Sequence, residues 1–207
     1  MKFVNQVLSL YSSSVIDDIS NLCRTSEQRA CGYFFFDGRD AQQGLQRLED
    51  LLRSLVWQFS QRCDNFPAAL DHLYDECTCG IQPPSLESLQ QTLFLILGSF
   101  RHTYVIVDAL DECVDRIKLL DWIKEMAGWK VGKLHFLAAS RQEREIEIRL
   151  LSLHPISICL EGEAVDLDMA TYLDWMLQDN EELTAWNVDV HIRDKVKMTL
   201  LQGAQGM

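Results

Sequence analysis

The stretch "TYVIVDALDEC", residues 103–113, is the most informative part of the chain. Its first five residues are all β-branched or aromatic, which favours a buried strand. Three carboxylates follow within five positions, at Asp108, Asp111 and Glu112. Carboxylates this close repel one another unless a cation lies nearby. The stretch therefore predicts a buried strand that ends at a site for a cation.

Three further apolar runs resemble this strand, at residues 31–37, 133–140 and 156–162. Each run is continuous rather than alternating, which is typical of strands covered on both faces. Helical patterns lie at 14–23, 45–59 and 116–129, and Ser85 is the expected N-cap of a helix that extends to about residue 98. The alternation of strands and helices predicts an α/β fold, with a parallel sheet flanked by helices.

The pattern changes after residue 162, where only helical periodicity follows. We therefore predict two parts: an α/β core over residues 1–162 and the start of a helical subdomain over residues 163–207.

Composition narrows the function and the cellular location. The net charge of −12 argues against a nucleic-acid partner, which needs a basic face. No apolar run approaches the roughly 20 residues of a membrane span. Seven cysteines, an odd number, suit reduced thiols, so we predict a cytoplasmic protein. The spacing of Cys63, His72, Cys77 and Cys79 matches no common zinc pattern, and we interpret these residues as a Cys-rich loop and helix end.

Ligands of parallel α/β sheets bind beyond the carboxyl ends of the strands, where Asp108 is expected. Mg²⁺ bound to a nucleotide polyphosphate is the natural cation for such carboxylates. A structural alternative stays open at this point. Asp111 could cap the helix that follows, and Glu112 could interact with the dipole of that helix.

The segment "VIVDALDEC" resembles the Walker B motif of NACHT-type NTPases of the STAND class. Together with "GYFFFDGRD", "LLRSLVWQFS", "PPSLESLQQTL", "LHFLAASRQEREIE" and "ICLEGEAVDLDMATYL", it is similar to nephrocystin-3-like N-terminal NTPase domains over about residues 12–207. The resemblance implies a P-loop NTPase-like sheet and a signalling role, with Mg²⁺ and ATP or GTP as cofactors.

The same resemblance assigns roles to four residues. Asp108 would hold Mg²⁺ through water, and Asp111 and Glu112 would orient the attacking water. Arg141, in "AASR", would sense the terminal phosphate. The resemblance also implies protein partners, either intact NACHT proteins or further copies of this chain.

The phosphate-binding motif G-x-x-x-x-G-K-[ST] occurs nowhere in the 207 residues. The segment "GWKVGKL", 128–134, has one residue too few between its glycines and precedes a strand instead of following one. ATP or GTP binding is therefore expected to be weak or absent.

The resemblance implies a first strand between those at 103–108 and 133–139, and without it the two would lie about 9–10 Å apart. Either residues 2–10 replace this strand, or the chain is a truncated fragment that folds poorly alone.

Three functions remain open from the sequence. The first is a truncated NACHT-type signalling NTPase domain with impaired nucleotide binding. The second is a non-enzymatic interaction or decoy module that associates with intact NACHT proteins. The third is a different α/β enzyme that uses Asp108, Asp111 and Glu112 for metal-assisted hydrolysis, although no candidate nucleophile supports it.

Overall fold

The computed structural model describes residues 2–38, 46–63 and 67–158, together with 167, 170–171, 173–174 and 194–199. The chain divides into two compact units, one of residues 11–155 and one of residues 1–10 with 156–207. In the described part of the latter unit, Lys197 donates a hydrogen bond to Asp174 at 2.6 Å. The predicted boundary at residue 162 stays a prediction.

The unit of residues 11–155 contains a three-stranded sheet and its flanking helices, except that residues 2–10 of the first helix are assigned to the other unit. The strands are β1 (Arg29–Phe35), β2 (His102–Asp108) and β3 (Lys133–Ala138). The helices are α1 (Lys2–Arg24), α2 (Leu48–Ser60), α3 (Ala68–Glu76), α4 (Leu86–Leu97), α5 (Arg116–Ala127) and α6 (Arg144–Leu150). Single 3₁₀ turns lie at Leu110–Glu112 and Leu151–Leu153. Among the described helices, none is both long and apolar enough to cross a membrane.

The strand order is β1-β2-β3, and both pairs are parallel, which confirms the predicted fold class. His102 lies in register with Arg29 on one side and with Lys133 on the other. Because β2 and β3 are hydrogen-bonded neighbours, the expectation of a gap between them was wrong. Direct pairing satisfies backbone groups that a gap would leave buried without partners.

Two further expectations are corrected by the observed elements. Residues 2–10 do not form a substitute strand, because they belong to α1. Their apolar residues at positions 3, 4, 7 and 8 have the spacing of a helix rather than of a strand. Of the predicted strand at 156–162, residues 156–158 are not in a strand and Ile156 is 94% exposed, while residues 159–162 lie outside the described residues.

The core lies between one face of the sheet and α2, α4 and α5. On this face, β1 and α2 approach closely at Gly32. A Cβ at Gly32 would lie 2.7 Å from Phe59 Cε2 and 3.0 Å from Leu55 Cδ2, so only glycine fits there. The helix predicted at 45–59 is observed as α2, although Leu45 lies outside the described residues. The Ser85 cap is confirmed, since its hydroxyl accepts a hydrogen bond from the Ser88 N–H at 3.1 Å.

The opposite face of β3 is not covered. His135 is exposed and stacks on Tyr104 of β2 with ring centroids 4.6 Å apart, and Leu137 is 41% exposed. The expectation that every strand is covered on both faces is therefore wrong for β3. A continuous apolar run is also compatible with a strand that has one bare face.

The outer edge of β1 is covered by a side chain of α2. The Gln58 amide accepts a hydrogen bond from the Tyr33 N–H at 3.0 Å and donates one to the Tyr33 carbonyl at 2.7 Å. It also donates to Ser54 Oγ at 2.9 Å, which fixes its orientation. This pair of bonds imitates a neighbouring strand at Tyr33 and satisfies both of its outward backbone groups.

We expect Gln58→Ala to reduce the free energy of unfolding by about 1–2 kcal/mol, because two hydrogen bonds to the strand are lost. Urea denaturation measures this change. The exposed Gln91 of α4 provides the matched control, and Gln91→Ala is expected to stay within about 0.5 kcal/mol of the parent. Equal losses for the two variants would show that the amide does not support the edge.

Candidate functional site

Asp108 ends β2 and is held by groups from three parts of the unit. Its side chain is buried, with the residue 6% exposed. The carboxylate accepts a hydrogen bond from the Ala109 N–H at 2.9 Å and another from the hydroxyl of Ser12 in α1. Its backbone carbonyl accepts from the Phe36 N–H at 3.1 Å. Asp108 is therefore fixed in place at the carboxyl end of the sheet, as predicted.

The pKa of the Asp108 carboxyl is raised above its ordinary value, mainly because the group is buried. Hydrogen bonds from Ala109 and Ser12 oppose this shift, and the nearby charges of Asp111 and Glu112 add to it. Ionisation of Asp108 is thus disfavoured in the folded protein. A bound cation would reverse this balance by stabilising the charged form.

A strained turn follows Asp108. Ala109 has φ 53° and ψ 48°, a left-handed conformation that residues with a Cβ rarely adopt. The turn is stabilised by Leu110, which is fully buried and whose N–H donates to the Ala139 carbonyl at 3.0 Å. Strain of this kind is concentrated at functional sites in proteins. The turn places the carboxylates of Asp111 and Glu112 next to the segments that follow β3 and β1.

Asp111 and Glu112 both contact Arg141, which follows β3. The Arg141 N–H donates to Asp111 Oδ1 at 3.0 Å, and its Nε lies 3.6 Å from Asp111 Oδ2. Arg141 Nη2 lies 3.6 Å from Glu112 Oε1. We call this group the acid–arginine bridge. The structure thus brings three of the four predicted site residues into contact, and the fourth, Asp108, is near enough for the charges of Asp111 and Glu112 to affect its pKa.

The bridge also reaches the segment after β1, because Glu112 Oε2 accepts a hydrogen bond from the Gly38 N–H at 2.7 Å. The Asp111 side chain is only 8% exposed and that of Glu112 is 16% exposed, whereas that of Arg141 is 40% exposed. One cation therefore neutralises two nearly buried carboxylates. These contacts connect the segments that follow all three strands.

The helix-capping alternative for Asp111 does not hold. The N-cap of α5 is Asp115, which makes no side-chain capping bond. The backbone carbonyl of Asp111 accepts a hydrogen bond from Arg116 Nη2, while its carboxylate faces Arg141.

Ser12 and Gly38 are parts of the site that sequence reasoning missed. Ser12 lies in "YSSSV", and three serines within a helical pattern are a weak signal, because serine disfavours helix interiors. Gly38 acts through its backbone N–H, which residue identity does not reveal.

The donor set fits a metal ion only in part. Within the described ranges, no three His, Cys, Asp or Glu side chains lie close enough together to hold a metal ion. Asp108 and Ser12 offer oxygen atoms, which Mg²⁺ prefers, but most of the octahedral shell would have to come from water or a ligand.

Comparison with known proteins identifies the family of the chain. A family model described as "Nephrocystin 3, N-terminal" matches residues 9–141 of the chain. The match covers more than half of the sequence and extends from α1 to Arg141, so it contains every residue of the site described above. No curated protein and no solved structure matches the chain.

We expect Asp108→Asn to raise the melting temperature at about pH 7, because it removes a buried charge and keeps an oxygen acceptor for Ala109 and Ser12. The pKa of Asp108 is raised in the folded state, so its protonated form favours folding. The advantage of the variant should therefore shrink as the pH falls through this raised pKa. Thermal unfolding followed by circular dichroism over this pH range measures the effect. A gain independent of pH would contradict the assignment.

Proposed function

The chain belongs to the nephrocystin 3 N-terminal family, and from this premise we propose that it is a NACHT-type NTPase domain whose nucleotide binding is impaired or lost. The observation that carries the proposal is the acid–arginine bridge. Arg141, which would sense a terminal phosphate, contacts Asp111 and Glu112 instead, the two carboxylates that would act on the attacking water.

The metal half of a nucleotide site is retained in this proposal. In P-loop NTPases, Mg²⁺ is held by a hydroxyl at the start of a helix and by an acidic residue at the end of a strand. Asp108 is the acidic residue at the end of a strand, and Ser12, in the middle of α1 rather than at its start, offers a hydroxyl that is hydrogen-bonded to it. Mg²⁺ between them would stabilise the ionised form of Asp108 and make the neighbouring carboxylates less repulsive.

The phosphate half is missing from these residues. A phosphate cradle needs free backbone N–H groups at a helix start, together with a lysine. Ser12 lies inside α1, which begins at Lys2, so the N–H groups around it are engaged in helical hydrogen bonds. No G-x-x-x-x-G-K-[ST] motif supplies an alternative. A bound triphosphate would therefore lack most of its usual donors.

Arg141 cannot compensate for this loss without breaking the bridge. Moving its guanidinium to a phosphate would leave the Asp111 carboxylate, whose side chain is 8% exposed, without its cation. Leaving a nearly buried carboxylate unpaired is more costly than separating an exposed ion pair, for which the loss is only about 0.2–1 kcal/mol. The bridge thus favours a state in which Arg141, rather than a bound ligand, neutralises the Asp111 and Glu112 carboxylates.

Isothermal titration with Mg²⁺-ATP and Mg²⁺-GTP tests the proposal. We expect no saturable binding below about 1 mM, a free energy of association weaker than about −4 kcal/mol. Asp108→Ala serves as the control and should give the same trace as the parent chain. Micromolar binding that disappears in Asp108→Ala would contradict the proposal and indicate a working nucleotide site.

A second candidate function is a non-enzymatic interaction or decoy module that associates with other proteins, intact members of the family among them. The observation that favours it is the edge of β3, which pairs with no further strand among the described residues. Sedimentation velocity of this chain mixed with an intact family member should then show a complex that forms with or without nucleotide. A complex that requires nucleotide would favour a residual NTPase function instead.

A further inference from the structure

The two edges of the sheet differ in how they are protected. The middle of the β1 edge, at Tyr33, is covered by the Gln58 amide, as described above. In β3, the Lys133 N–H donates a hydrogen bond to the Arg101 carbonyl at 2.8 Å, so the backbone groups of Lys133 face β2. Because a strand alternates, the N–H and C=O groups of Leu134, Phe136 and Ala138 face away from β2. No backbone hydrogen bond from the described part of the chain reaches these groups.

The composition of β3 leaves this edge open to another strand. Its sequence KLHFLA contains no proline, and its single charged residue, Lys133, lies at its start. Natural edge strands usually avoid pairing through prolines, inward charges or a covering segment. The exposed side chains of His135 and Leu137 add an accessible face next to the open edge.

A basic cluster lies at the amino end of this edge. Arg29, His102 and Lys133 are in register across the three strands, and Arg101 precedes His102 directly. Just before β3, the backbone at Gly132 packs closely against the backbone that precedes β2. Gly132 has φ +44°, and a Cβ there would lie 2.5 Å from the Phe100 carbonyl oxygen. The positive charges of Arg29, Arg101 and Lys133 all act on His102. An anionic partner at this end of the sheet would be attracted by all three.

The cluster is not neutralised from within the described residues. The pKa of His102 is lowered, first by desolvation and then by the positive charges of Lys133, Arg29, His135 and Arg101. None of the ion pairs found among the described residues contains Arg29, Arg101 or Lys133. A local excess of positive charge in a chain of net charge −12 is a marked asymmetry.

We propose that β3 binds an extended segment of a partner protein, which adds to its open edge as a fourth strand and places carboxylates against Lys133 and His102. This inference rests on the second candidate function above and specifies the chemistry of the partner. Backbone hydrogen bonds would supply the affinity, and the basic cluster would select acidic segments.

Charge argues for an acidic partner segment rather than for a second copy of this chain paired through its own β3. Residues 133–138 contain a lysine and no carboxylate, so two copies paired at this edge would not neutralise the cluster. Each copy also carries a net charge of −12, which opposes self-association.

The test uses a fluorescein-labelled peptide of about ten residues, which alternates valine and threonine and carries glutamates at both ends. Fluorescence anisotropy with the full chain should show binding that weakens as salt is added. A peptide with lysines in place of the glutamates should bind more weakly. Hydrogen exchange should slow at the amides of Leu134, Phe136 and Ala138 when the glutamate peptide is bound.

Two variants distinguish the effect of charge at the cluster on peptide binding from the effect of the overall charge of the chain. Lys133→Glu should raise the dissociation constant of the glutamate peptide by about fivefold to tenfold, since an attraction between charges becomes a repulsion. Lys118→Glu makes the same change on α5, where the Lys118 side chain is 67% exposed, and should alter binding by less than about twofold. Both positions are exposed, so neither variant should disturb folding.

Three results would overturn the inference: equal binding of the two peptides, slowed exchange in β1 rather than β3, or a dimer that protects the β3 amides without peptide. A failed peptide test alongside a complex with an intact family member would reject only the partner chemistry. The calorimetric test concerns the opposite end of the sheet, so its outcome is independent.

Discussion

The direct parallel pairing of β2 with β3 is the constraint on which the rest of the structure depends. The register that aligns His102 with Lys133 also aligns Val107 with Ala138. At the carboxyl end, this alignment brings Arg141 within reach of Asp111 and Glu112. At the amino end, it places Lys133 beside His102. A shift of one residue would turn every side chain of β3 to the other face, so both ends of the sheet depend on one register.

Much of this arrangement could be read from the sequence, because it depends on local chemistry. Five β-branched or aromatic residues specified β2, and the carboxylate after them had to lie at its carboxyl end. The hydroxyl of Ser85 specified the start of α4. The meeting of Arg141 with the acidic residues was expected from the resemblance to NACHT-type domains, and the structure places them in contact. The metal and catalytic roles of these residues stay predictions.

What the sequence could not supply was the identity of neighbours. An apolar run reports that a strand is buried, not which strand lies beside it, so the pairing of β2 with β3 and the bare face of β3 were missed. The hydrophobicity of residues 2–10 is compatible with a strand, whereas the spacing of their apolar residues is that of a helix. The structure follows the spacing, since these residues belong to α1. Contacts made by backbone N–H groups, such as Gly38 with Glu112, leave no trace in residue identity.

The acid–arginine bridge gives two of the three acidic residues, Asp111 and Glu112, a cationic partner within the protein. Carboxylates that lie close together repel one another, and a nearby cation relieves this repulsion. Here Arg141 relieves that repulsion at Asp111 and Glu112, and the Gly38 N–H adds a further donor to Glu112. Asp108 remains the exception, because its pKa is raised by burial and its partners are a hydroxyl and a backbone N–H. The same motif therefore contains two carboxylates that are paired with an arginine and one, Asp108, that is not bonded to a cationic side chain among the described contacts.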